Sequence, residues 1–271
     1  MKVDSIFLSS YSSNIFCLLG LLEKIKPDLE RVEFWSCLGN SSLILFFKVL
    51  GYNYLKSFDE LKKVPFIEEM TTGFNLFLED EENKKAILKS FLLSYLKNST
   101  IFNEKTTLEE VKKLTKISLC FPLWDEEKEK EKVLDEVDTP EVLFIDAVLA
   151  SLTCLGIYSN YIIDKKVYKN LQMINPFPKN HIRIKKDHIN IFNVSNFSKD
   201  DLFFETSPLQ KVEKELVNIN YCNHKKLQKN NTNSIFLPSF LKKEVTEKYF
   251  KEIFLTGYKS GEIILRENNE K

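Results

Sequence analysis

The chain's 271 residues, 43% hydrophobic and 29% charged, suit one large globular domain with a substantial core, and no internal repeat or domain boundary interrupts them. Thirty-nine basic residues balance thirty-nine acidic ones, with Arg only at Arg31, Arg183 and Arg266; a nucleic-acid binder needs a basic stripe, so none is expected as partner. Glycine occurs at only seven positions and no GxGxxG or GxxxxGKS/T string is present, which excludes both common nucleotide phosphate loops.

In chain order, Val3 to Leu8 reads as a short apolar strand, the polar run from Ser9 to Asn14 as turn and cap, and Ile15 to Lys26 as a helix ended by Pro27. The pattern then repeats. Val32 to Leu38 is a buried strand, Gly39 to Ser42 a turn and Leu43 to Leu50 a helix, with Gly51 at the place of a C-terminal cap. Strand then helix, twice within fifty residues, marks a parallel α/β sheet. Helices are expected near Ser57 to Glu69 and Asn83 to Lys97, another from a cap at Thr106 or Thr107, and a third strand at Ile117 to Phe121.

The segment from Asp125 to Asp138 is charged on every face and reads as a solvated loop or surface helix. Thr139-Pro140 is expected to open a helix over Val142 to Leu152. Tyr161 to Tyr168 reads as a hairpin with Asp164 at its tip, and Ile182 to Phe192 as a second hairpin turning at Lys185 to His188. Lys225 to Asn233 has the composition of a loop, and Glu244 to Thr256 is an amphipathic helix.

The five cysteines, Cys17, Cys37, Cys120, Cys154 and Cys222, are odd in number and mostly sit inside apolar runs, as reduced buried thiols do. Cys222 and His224 are close, but no second ligand pair completes a site, so neither metal nor other cofactor is expected. No stretch approaches the roughly 18 apolar residues of a membrane span, and Ile15 to Leu22 runs into Glu23, Lys24 and Lys26, so a cytoplasmic protein is expected.

Three segments in order resemble the patatin-like phospholipase family. Leu8-Ser9 is followed by Ser10, Tyr11, Ser12, Ser13, Asn14 and Ile15, in register with the family's glycine-rich oxyanion loop, and Leu19 to Leu22 continues its helix. Gly39-Asn40-Ser41-Ser42-Leu43 is similar to the G-x-S-x-G nucleophile elbow. Tyr168 to Pro178, with Asn170 and Leu171, matches the segment carrying the D-G-G pair. The resemblance is clearest over residues 3 to 180, with 181 to 271 as a divergent part of the same domain. It implies a single-domain, three-layer α/β fold with a mainly parallel central sheet and flanking helices, and a Ser–Asp dyad for cleaving acyl esters of lipids, which needs no His, so His181, His188 and His224 have no assigned role.

The departures fall on the chemistry the resemblance implies. Ser41 holds the nucleophile position, but the base position is Asn170, whose neutral amide takes up no proton at neutral pH. Ser10, Tyr11, Ser12 and Ile15 replace glycines whose backbone N–H groups would turn toward an oxyanion, and Leu43 replaces the second elbow glycine. Asp164 lies six residues early and Asp146 on a helix, so neither substitutes as base. Asn40 or Ser41 also reads as a helix cap, and Asn170 as a loop bridge. The expectation is a catalytically inactive protein kept as a structural or protein-interaction module, with a protein partner and scope for lipid or membrane-surface contact. A slow acyl hydrolase using Ser41 and a non-catalytic lipid binder stay open, the latter drawing on the 22 Phe and ten Tyr.

Overall fold

The computed structural model describes residues 3–10, 14–67, 81–153, 158–171, 188–194, 234–238 and 246–269. Strand β1 (Ser5–Ser10) leads to helix α1 (Asn14–Lys24), a short 3-10 turn (Lys26–Leu29), β2 (Phe34–Gly39), α2 (Ser41–Val49) and α3 (Tyr54–Leu61). Next come α4 (Glu81–Lys97), α5 (Leu108–Thr115), β3 (Ser118–Asp125), β4 (Lys130–Asp135), α6 (Phe144–Ser151), β5 (Tyr161–Ile163) and β6 (Lys166–Asn170). Strands β7 (His188–Val194) and β8 (Ser234–Pro238) and helix α7 (Glu247–Asn269) complete the described chain.

The strands form one sheet in the order β5-β6-β3-β2-β1-β7-β8, with β4 also paired to β3. From β3 through β8 the pairs are parallel; β4, β5 and β6 join antiparallel. All of β2 is buried, as expected of a parallel strand covered on both faces, and this is why its sequence is a continuous apolar run. The main core lies between helices and one sheet face: Ile6, Leu8, Trp35, Cys37, Leu119, Phe121 and Leu123 point into it from the strands. Phe46 and Phe47 of α2 pack there against Tyr95 of α4 and Phe144 of α6.

Several local expectations meet their structures closely. Thr107 is the cap of α5: its Oγ1 accepts from Glu110 N–H at 3.3 Å while the Glu110 carboxylate accepts from Thr107 N–H at 2.9 Å. Asp164 and Lys165 turn the β5–β6 hairpin with φ of 49° and 65°, the pairing a two-residue turn of right-twisted strands requires. Gly51 follows α2 at φ 80°.

Others are corrected. The charged stretch after Asp125 is the second arm of a hairpin, not a loop or helix: β4 pairs β3 from Cys120–Asp135 to Asp125–Lys130 and buries Leu134 against the core. Charge count misreads it because a strand exposed on one side needs few apolar residues. Helix α6 begins at Phe144 rather than Val142, since Thr139 is tied to Asp135, its hydroxyl accepting from that N–H and donating to that carbonyl, both at 3.0 Å. Strand β7 pairs in parallel with β1 on one side and β8 on the other; residues 182–187, the first arm and turn of the expected second hairpin, lie outside the described ones.

Helix α7 continues thirteen residues beyond the expected Thr256, through Gly257 and Gly261. Those glycines do not break it because they lie against α1. The two helices run side by side in the same direction, the Phe16 ring packing at a tilt against Phe250 at 4.3 Å between ring centroids and Lys24 pairing with Glu262 at 2.9 Å. A Cβ at Gly257 would stand 1.9 Å from the Cys17 carbonyl oxygen, and one at Gly20 1.9 Å from that of Phe254. Glycine is here a condition of close backbone approach.

Candidate functional site

The parallel strands end together along one edge of the sheet, where open α/β sheets place their ligands. Ser10 at the end of β1 pairs with Gly39 at the end of β2. The β2–β3 register, Phe34 with Ser118 through Ser36 with Cys120, sets Gly39 level with Leu123, and Leu123 pairs with Asn170 of β6. The sequence positions singled out as loop, elbow and base are therefore gathered on a single row of the sheet. Because β4 pairs β3 from Cys120 to Asp125, β2 and β6 share the opposite side of β3, β2 along its first half and β6 along its second, so the end of β2 at Gly39 and the end of β6 at Asn170 meet on one side of that strand.

Ser41 is fully buried. It is the first residue of α2, and its Oγ stands 2.8 Å from the Leu38 carbonyl, 2.9 Å from the Leu8 carbonyl and 3.1 Å from the Leu38 N–H, which donates to it. A hydroxyl carries one proton, so it serves either carbonyl while accepting the amide. The side chain thus clasps the ends of β1 and β2. Burial holds the Cys37 thiol of β2 far above its ordinary value and therefore protonated. None of these partners takes up a proton at neutral pH. The capping expectation is not met either: Asn40 makes no side-chain cap bond, and Ser41 bonds strands rather than its helix's free amides.

Around it, Ser42 is buried with its hydroxyl donating to the Gly39 carbonyl at 2.9 Å, and Leu43 is buried in the core. Gly39 takes φ of 69°, so the chain turns from strand to helix at that residue, with Asn40 already in the right-handed helical region. Asn170 is buried, and its backbone N–H donates to Thr153 Oγ1. Tyr11, Ser12, Cys222 and His224 lie outside the described residues; Ser10 is described as a strand residue only.

The nearby carboxylates are committed elsewhere. Asp146 accepts from the Tyr161 hydroxyl at 2.6 Å and from Lys89 at 3.0 Å, a link that joins α6, β5 and α4 and, with burial, raises the Tyr161 pKa above the ordinary tyrosine range. Asp135 accepts from the N–H groups of Val137 and Asp138 at 2.9 and 2.7 Å. Asp164 is at the hairpin tip. Lys48 of α2 lies over the Trp35 ring at 4.5 Å, and burial lowers its pKa. Among the described residues no group of three or more His, Cys, Asp or Glu stands together as a metal would require, and no helix is long and apolar enough to cross a membrane.

Sequence reasoning located the row but missed two of its features. The left-handed turn at Gly39 had a signal, a glycine between an apolar strand and a helix. The Thr153 contact had none, since it depends on packing between distant segments.

No family model matches the sequence, and the search of curated proteins found no relative. Similar solved structures include VipD and ExoU. VipD from Legionella pneumophila superposes with a TM-score of 0.66 at 9% identity, over 98% of this chain and 67% of its own. The type III effector ExoU does so with a TM-score of 0.50 at 11% identity, over 98% of this chain and 53% of its own, so the chain spans about half of ExoU's length. At such identities the likeness is one of fold. The fold of this chain is patatin-like, as theirs is, a mostly parallel central sheet with flanking helices.

Proposed function

We propose that this chain is a catalytically inactive protein on the patatin-like fold, residues 1–271 forming one domain, retained as a structural or protein-interaction module. The observation that carries the reading is the state of Ser41: fully buried, with its hydroxyl engaged by two carbonyls and an amide. A serine becomes a nucleophile when a positioned base accepts its proton within hydrogen-bond reach. The residue at the base position is Asn170.

Magnitudes support the reading. Losing a partner of the nucleophile costs about 10⁴-fold in rate, and losing an oxyanion donor another 10²–10³-fold. Such losses do not multiply strictly, because the groups act as a unit. Even the first alone reduces turnover to a level at which hydrolysis is not the use of the protein.

The test is exposure of the purified chain to a fluorophosphonate probe, alongside release of fatty acid from phosphatidylcholine vesicles. No adduct and no release above buffer are expected. Stoichiometric labelling abolished by Ser41→Ala would overturn the reading in favour of a divergent acyl hydrolase.

A further inference from the structure

We infer that Gly39, not Ser41, stands in the nucleophile's place, so that this scaffold lacks the reacting side chain as well as its base. The inference rests on the inactive reading above and deepens it. In a nucleophile elbow the serine is itself the strained residue between strand and helix, held at the tip of the turn. Here that residue is identifiable from the backbone. Strand β2 ends at Gly39, φ there is 69°, Asn40 is already helical in φ and ψ, and Ser41 is the first residue of α2.

Ser41 lies two residues past the tip, and its hydroxyl turns back to Leu8 and Leu38. The elbow string is then Cys37-Leu38-Gly39-Asn40-Ser41, with Cys37 and Ser41 at the two outer positions where small residues let strand and helix pass closely. Both side chains are fully buried there. The sheet agrees: β2 ends at Gly39 and β6 at Asn170 on the same side of β3, the side opposite β4, while Ser41 has left the strand for the helix.

Three proteins distinguish the assignments: wild type, Asn170→Asp, and Gly39→Ser/Asn170→Asp, each treated with the fluorophosphonate and mapped by peptide mass. In labelling, the serine oxygen bonds phosphorus, fluoride leaves, and the hydroxyl proton passes to the carboxylate at position 170. The double variant is expected to carry its adduct on residue 39, at least tenfold above the wild-type background, and Asn170→Asp is expected to stay at background. An adduct on Ser41 in Asn170→Asp overturns the assignment while leaving the wild type inactive; an adduct on Ser41 in the wild type overturns the inactive reading itself. A folded double variant without adduct also overturns the assignment.

A second measurement needs no chemistry. Left-handed backbone tolerates Asn far better than Ala, so Gly39→Asn is expected to lower the urea midpoint less than Gly39→Ala does. Equal losses would show that Gly39 is not the turning residue.

Discussion

Replacing Gly257 by Ala tests how the first helix, which carries the chain away from the end of β1, is held in place. The added Cβ would meet the Cys17 carbonyl oxygen at 1.9 Å, whereas ordinary contact begins at 3.4 Å, so α1 and α7 must part by about 1.5 Å, the difference of the two. The contacts along the pair then loosen: the Phe16–Phe250 rings at 4.3 Å and the Lys24–Glu262 ion pair at 2.9 Å. Overpacking costs about 1–3 kcal/mol, occasionally more. A backbone oxygen as the obstacle puts this case at the upper end, and the better helix propensity of Ala returns about 1 kcal/mol. The net expectation is a loss of about 2–3 kcal/mol, against typical total stabilities of about 5–15 kcal/mol.

Urea unfolding followed by far-UV circular dichroism measures it, with a midpoint lowered by about 1 M. Gly51→Ala is the control: nothing lies within 4 Å of its Cβ, and only the left-handed φ of 80° is strained, for a cost of about 1–2 kcal/mol. A Gly257→Ala midpoint equal to or above wild type would refute the close crossing, since propensity alone would then decide.

Ser41→Ala removes a clasp and no reaction: it is expected to cost about 1–3 kcal/mol in urea unfolding, with vesicle hydrolysis unchanged at background. Burial pushes the Cys17 thiol up to about 12, so its alkylation by iodoacetamide at pH 8.5 is expected to keep pace with global unfolding measured in parallel; fast labelling of the native protein would count against a buried thiol. Tyr161 is raised in the folded state by burial and by Asp146, so the unfolded chain ionises first, above about pH 10. The folded chain then binds more protons, and stability falls with rising pH. Between pH 9 and 11 the urea midpoint of the wild type should drop more steeply than that of Tyr161→Phe, and parallel curves would contradict the assignment.

Much of the scaffold was legible along the chain. The opening strand, helix, strand and helix follow from apolar runs bounded by Ser, Asn and Gly, and the Thr107 capping box and the Asp164 turn are written in four or five consecutive residues. These are local devices, in which the groups that satisfy one another are neighbours in sequence. They also suffice for the resemblance that anticipated a patatin-like fold, with Asn170 where a carboxylate was due.

What tertiary structure alone decided involves partners far apart in sequence. The charged run after Asp125 became a strand because β3 offered an edge to pair with, and β7 took parallel neighbours because β1 and β8 flank it. Gly20 and Gly257 proved to be sites of contact between helices more than two hundred residues apart. The fate of Ser41 is the sharpest instance: its residue type suggests a nucleophile, while the Leu8 carbonyl, 33 positions away, makes it a clasp. A side chain's chemistry is set by which acceptors reach it and whether water does, and both are properties of the packed fold.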